Sequence, residues 1–154
     1  MEEVWASDTE RIDLVIFLNG IAIMTFELKC NSSGQSYENA IYQYRNDRNP
    51  KTRLFLFKAG AFVNFAMDLE EVYMTTKLNK DSTFFLPFNM GNGEGIHVGA
   101  GNPIYEDKYS VSYMWEEILT KDSVLELISN FVVHNSSTKN KFIWPSQDFG
   151  VILR

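Results

Sequence analysis

Three charged side chains stand at one end of an otherwise apolar stretch: Asp13, Glu27 and Lys29 in R-I-D-L-V-I-F-L-N-G-I-A-I-M-T-F-E-L-K, residues 11–29. Two carboxylates hold a hard divalent cation through oxygen, and an ammonium beside them stabilises developing negative charge, so the trio suits metal-dependent hydrolysis. A buried structural ion cluster uses the same residue types. What surrounds them has to position them. The apolar runs Leu14–Leu18 and Ile21–Phe26 flank Asn19-Gly20, a dipeptide that takes positive φ readily. That pattern predicts a β-hairpin with both strands buried on both faces in the middle of a helix-covered sheet. Side chains alternate along a strand, so Glu27 and Lys29 share a face.

Register places a condition on Asp13. A strict two-residue turn pairs Leu18 with Ile21 and, counted back, sets Asp13 opposite Phe26, facing away from Glu27. A shared metal therefore requires a three-residue turn, a bulge, or a bend at Asp13.

The chain has 154 residues, of which 45% are hydrophobic, enough for one domain with short appendages. Its single cysteine, Cys30, excludes an internal disulfide and a multi-thiolate zinc site. No apolar run approaches the roughly 18 residues of a membrane span, and the first residues lack the pattern of a signal peptide. A soluble, cytoplasmic protein is expected. The net charge of -6 argues against a broad nucleic-acid-binding surface but leaves room for a local one. Arg45, Arg48, Lys51 and Arg53 supply it as candidate phosphate contacts, set against the reading of a solvated polar loop.

Between these features, residues 37–47 read as a helix with Ala40, Ile41 and Tyr44 on one stripe and Asn39, Gln43 and Asp47 on another. Gln43 then looks towards the carboxylate end of the hairpin, and Asn49-Pro50 ends the helix. Strands are expected at 54–57, 61–66 and 72–76, with a turn at Ala59-Gly60. The stretch G-N-G-E-G-I-H-V-G-A-G-N-P reads as a loop, since it lacks the Lys-Ser/Thr ending of a Walker motif and the strand and helix of a dinucleotide fingerprint. His97 has no evident partner in it. Helices are expected at 109–119 and 123–133, the second with Ser123 as N-cap and Glu126 completing a capping box. His134 falls at its end, and residues 135–141 read as a linker.

The run from Ile12-Asp13-Leu14 through Asn19-Gly20 to Phe26-Glu27-Leu28-Lys29 closely resembles the nuclease core of the PD-(D/E)xK superfamily. More narrowly, it is similar to the amino-terminal region of the R subunit of type I restriction-modification enzymes. V-Y-M-T-T-K-L, F-F-L-P-F-N-M-G, G-A-G-N-P and Y-M-W-E-E-I-L-T-K-D-S-V-L-E-L-I are each similar to stretches of that family, and together they span most of the chain.

The resemblance implies an α/β (α+β) fold, a restriction-endonuclease-like mixed central sheet flanked by helices. It implies that Asp13, Glu27 and the backbone carbonyl of Leu28 hold Mg²⁺, with Lys29 the catalytic lysine, as base or as electrostatic stabiliser. It further implies a role for Gln43 in positioning DNA. Asp47 stands where the family has a Tyr four residues after that Gln, and Ser146 where a His is usual. Only twelve residues precede Asp13, where the family has a longer segment, so a fragment is expected. Residues 1–134 are then the nuclease domain and 135–154 a linker towards an ATP-driven motor outside this sequence. The implied partners are double-stranded DNA and the modification and specificity subunits, with no membrane. A non-catalytic docking or DNA-guiding module of the same fold is the alternative.

Overall fold

The computed structural model describes residues 4–5, 10–92, 101–131, 133–135 and 141–143. Two short strands, β1 (Val4–Trp5) and β2 (Arg11–Ile12), pair with each other. The hairpin follows: β3 (Leu14–Leu18) and β4 (Ile21–Leu28) are antiparallel. Asn19 at φ 50° and Gly20 at φ 80° make the two-residue turn between them, both in the left-handed region that matches the strands' own twist.

Helix α1 (Tyr37–Asn46) starts at Ser36, whose hydroxyl accepts from Glu38 N–H while Asn39 Oδ1 accepts from Ser36 N–H at 2.9 Å. After it come β5 (Val63–Met67), β6 (Val72–Thr75) and β7 (Leu86–Pro87). The sheet order is β3-β4-β5-β6-β7, with β4 and β5 parallel and every other neighbouring pair antiparallel. The β4–β5 crossover carries α1, as parallel pairing requires.

Helical segments cover both faces of this sheet. On one face Met24, Phe26, Phe65 and Met74 pack with Val111, Met114, Ile118, Val124 and Leu127. Phe26 and Phe65 stack at 5.0 Å between ring centroids. Full burial of side chains of this size contributes about 1.5–3 kcal/mol each. On the other face Val15 and Ala66 lie under Ala40 and Tyr44 of α1, joined by Phe55 and Phe85. The fold is thus a mixed sheet with helices on both sides, consistent with the restriction-endonuclease-like α+β architecture.

Several local expectations are corrected. β3 is an edge strand, so Phe17 is half exposed and only Val15 of its five residues is buried. Residues 54–57 form successive turns instead of a strand. Ala61 N–H donates to Leu54 O, and a Cβ on Gly60 would meet that same oxygen at 2.1 Å, so the chain doubles back too tightly for pairing. The expected helix at 109–119 is a wide π turn at Met114–Ile118 preceded by turns. The next helix, α2 (Lys121–Glu126), begins two residues early because Thr120, not Ser123, is its N-cap; it runs on as a π turn, Leu127–Phe131. His134 lies in β8 (Val133–Asn135), which pairs with β9 (Lys141–Ile143), and so is not at a helix end. Residues 93–100, including His97, and residues 144–154 lie outside the described residues.

Candidate active site

The condition on Asp13 is met inside the hairpin. Leu18 pairs with Ile21 and Phe17 with Ala22, but Ile16 pairs with Met24, so Ile23 is an extra residue on β4. Its carbonyl is not wasted, since Phe62 N–H donates to it at 3.0 Å. Beyond this bulge the pairing runs to Leu14 with Phe26, a register that by strand alternation turns the position of Asp13 to the face of Glu27. Asp13 itself forms a bend between β2 and β3.

Hydrogen bonds fix the trio. Leu28 N–H donates to Asp13 Oδ2 at 2.8 Å, and Lys29 Nζ lies 3.6 Å from the same oxygen and 3.3 Å from Leu28 O. Lys29 N–H donates to Met67 O, which continues the parallel pairing with β5. Asp13 is exposed, whereas the Lys29 side chain is only 8% accessible. Glu27 is fully buried beside Ala66, its register partner on β5. Burial pushes the Glu27 carboxyl up to about 7; Arg48 opposes that rise and the Asp13 charge adds to it.

Arg48 is the residue that sequence reasoning misplaced. It is buried, and its Nε donates to Glu27 Oε1 at 2.6 Å, with Nη2 reaching the same oxygen. Glu27 Oε2 is buried with no hydrogen-bond partner, as is Gln43 Oε1. Two orphaned buried acceptors beside an ion pair are unusual, because such groups normally cost about 1–3 kcal/mol each. Arg45 is also turned inward, its Nε and Nη2 donating to Thr83 O. Of the basic run, Lys51 and Arg53 are the members on the surface. Asp47 is exposed at the C-cap of α1.

A polar line runs under α1 towards the site. Tyr44 OH and Thr25 Oγ1 are 2.8 Å apart, and Thr25 Oγ1 donates to Asn64 Oδ1 at 2.7 Å. The sequence stripe had Tyr44 as an apolar packing residue; its ring packs, and its hydroxyl anchors α1 above β4.

The donors fit a magnesium ion. Asp13, the unpartnered Oε2 of Glu27 and the Leu28 carbonyl are hard oxygens, and Mg²⁺ is held by one or two carboxylates with waters completing its shell. Among the described residues no group of three His, Cys, Asp or Glu side chains converges as an all-side-chain metal cage.

Comparison with known proteins identifies the family of the chain. The chain is 22% identical over 152 residues to a putative type I restriction enzyme MjaIXP endonuclease subunit of Methanocaldococcus jannaschii. That alignment covers 94% of this chain and 14% of the relative, so the chain spans about one seventh of the relative's length. No solved structure matches. The family model described as type I restriction enzyme R protein N terminus matches residues 1–83, which include Asp13, Glu27, Lys29 and Gln43. With more than half of its 154 residues matched, the chain belongs to the family of type I restriction enzyme R protein N termini.

Proposed function

We propose that this chain is the Mg²⁺-dependent DNA endonuclease domain of a type I restriction enzyme R subunit. It hydrolyses phosphodiester bonds of double-stranded DNA in the cytoplasm, when coupled to an ATP-driven translocase elsewhere in the subunit and to modification and specificity subunits. The observation that carries this reading is the bulge at Ile23, which brings Asp13 and Glu27 to one face with Lys29 Nζ 3.6 Å from Asp13.

Asp13 and Glu27 Oε2, with the Leu28 carbonyl, would hold the ion, which when bound supplies Lewis acidity and charge neutralisation at the scissile phosphate. Lys29 presents its ammonium at the exposed Asp13 end of the site, where DNA approaches. There it offsets the charge that builds on the phosphate oxygens as water attacks. Gln43, Lys51 and Arg53 orient the duplex, and Arg48 keeps the Glu27 carboxylate in place.

Plasmid cleavage by the full subunit in its complex tests this. Asp13→Ala and Lys29→Ala should each abolish cleavage while leaving DNA binding intact. Cleavage that survives Asp13→Ala removes the assignment. A non-catalytic DNA-guiding role is favoured by one observation, the Arg48 hold on Glu27 Oε1; it predicts Mg²⁺-independent DNA binding and no cleavage by the wild-type complex.

A further inference from the structure

We propose that Lys58 and Lys77, which both reach over the ring of Phe57, form with Lys80 a binding site for the DNA sugar-phosphate backbone beside the nuclease centre. This rests on the endonuclease reading above for the identity of the polyanion. Lys77 Nζ lies 5.1 Å and Lys58 Nζ 6.0 Å from the Phe57 ring centroid. Both ammonium groups are thereby held at one ring, which concentrates positive charge around Phe57.

The fold, not the sequence, assembles this surface. Residues 45–58 carry Arg45, Arg48, Lys51, Arg53 and Lys58 against one acid, Asp47, and residues 72–80 carry Lys77 and Lys80 with no acid. Half of the 14 Lys and Arg residues of a chain with net charge -6 therefore sit in two separate stretches. Two contacts join those stretches: Lys80 Nζ donates to Arg48 O at 2.9 Å, and Lys77 shares the Phe57 ring with Lys58. Just beyond, Arg45 donates to Thr83 O. Asp47 and Asp81 are exposed, and the Glu10 carboxylate accepts from Asn49 N–H and the Thr52 hydroxyl within the first stretch.

The surface is tied to the candidate centre through Arg48. Arg48 holds Glu27 through its side chain and Lys80 through its carbonyl, so a single residue bridges the lysines and the carboxylates. Lys58 at φ 73° and Lys80 at φ 51° hold the left-handed conformation that side chains rarely adopt. Such outliers cluster where a side chain has a binding task. Exposed Lys51 and Arg53 extend the same surface. Backbone contact of this kind positions a duplex without reading its sequence.

The test is DNA binding by the full chain, followed by fluorescence anisotropy of a labelled duplex over a salt series. Lys58→Gln with Lys77→Gln should lower affinity equally for unrelated duplex sequences. It should also reduce the slope of log affinity against log salt by about 2, roughly one for each phosphate no longer neutralised. Lys108→Gln with Lys121→Gln removes the same charge beside the π turn at Met114–Ile118 and at the start of α2, and should leave the slope unchanged. An unchanged slope in the first variant, an equal loss in both, or no duplex binding by the wild-type chain overturns the proposal. Because the readout is binding, it stands apart from cleavage: survival of cleavage in Asp13→Ala would sink the nuclease reading and leave this surface standing.

Discussion

Arg48 donates through Nε and Nη2 to a single oxygen of Glu27, and the other oxygen of that buried carboxylate has no partner. The pair compensates a charge taken out of water and leaves the second oxygen of the carboxylate without a hydrogen bond. A buried pair is weak evidence of net stabilisation, but removing one member strands the other.

Arg48→Met should accordingly destabilise the domain by about 3–5 kcal/mol, measured by urea denaturation at a pH well above 7, where the Glu27 carboxyl is ionised. Adding Glu27→Gln to Arg48→Met should recover most of that loss, because no buried charge is then left alone. Equal destabilisation in the single and double variants would show that Arg48 acts by packing and not by charge.

Stability of the metal-free domain should fall as pH rises from about 4.5 to about 7. Glu27 ionises near its ordinary value in the unfolded chain but only near 7 in the folded one, so across this window the folded state holds more protons and loses ground. The stabilisation is present below the unfolded value and is lost as pH rises through the folded value, a change of about 3 kcal/mol over the interval. Glu27→Gln should flatten that limb of the profile, measured as urea midpoint against pH in the presence of a chelator. A profile that keeps its slope in Glu27→Gln assigns the effect to another group.

Two glycines should respond to the same substitution in different degrees. A Cβ on Gly20 meets nothing within 4 Å, so Gly20→Ala should cost only the backbone penalty of a left-handed residue, about 1–2 kcal/mol. On Gly60 it would meet Leu54 O at 2.1 Å, a backbone atom that cannot swing aside. Gly60→Ala should therefore cost more than about 3 kcal/mol by thermal or urea unfolding. Similar values at the two positions would argue against the tight turn at 54–61.

Much of the sheet was legible because Asn19-Gly20, the apolar run to Phe26 and the stretch around Val63–Met67 carry strong local signals. So was the irregularity in the hairpin, which strand alternation demands once Asp13 and Glu27 are to share a metal. Which irregularity would occur was not legible, since the bulge at Ile23 depends on a partner from elsewhere, the Phe62 N–H. Residues 54–57 misled because four apolar residues in a row suit a strand and a folded-over turn equally, and the close approach of Gly60 to Leu54 decides between them. Arg48 misled for a similar reason. A basic residue in a polar run reads as surface, and only the position of α1 over β4 turns it towards Glu27. The π turns at Met114–Ile118 and Leu127–Phe131 leave no distinct mark on an amphipathic pattern.

The two-residue turn at Asn19-Gly20 also sets an order in time. A hairpin closed over two residues forms within microseconds, whereas Arg48 reaches Glu27 from 21 residues further on, after α1 has formed and docked. The hairpin's own pairing is therefore in place before Glu27 gains its counter-charge. We expect substitutions in the hairpin, such as Val15→Ala, to slow folding, and Arg48→Met mainly to speed unfolding, in stopped-flow measurements. A folding limb slowed as much by Arg48→Met as by Val15→Ala would reverse that order.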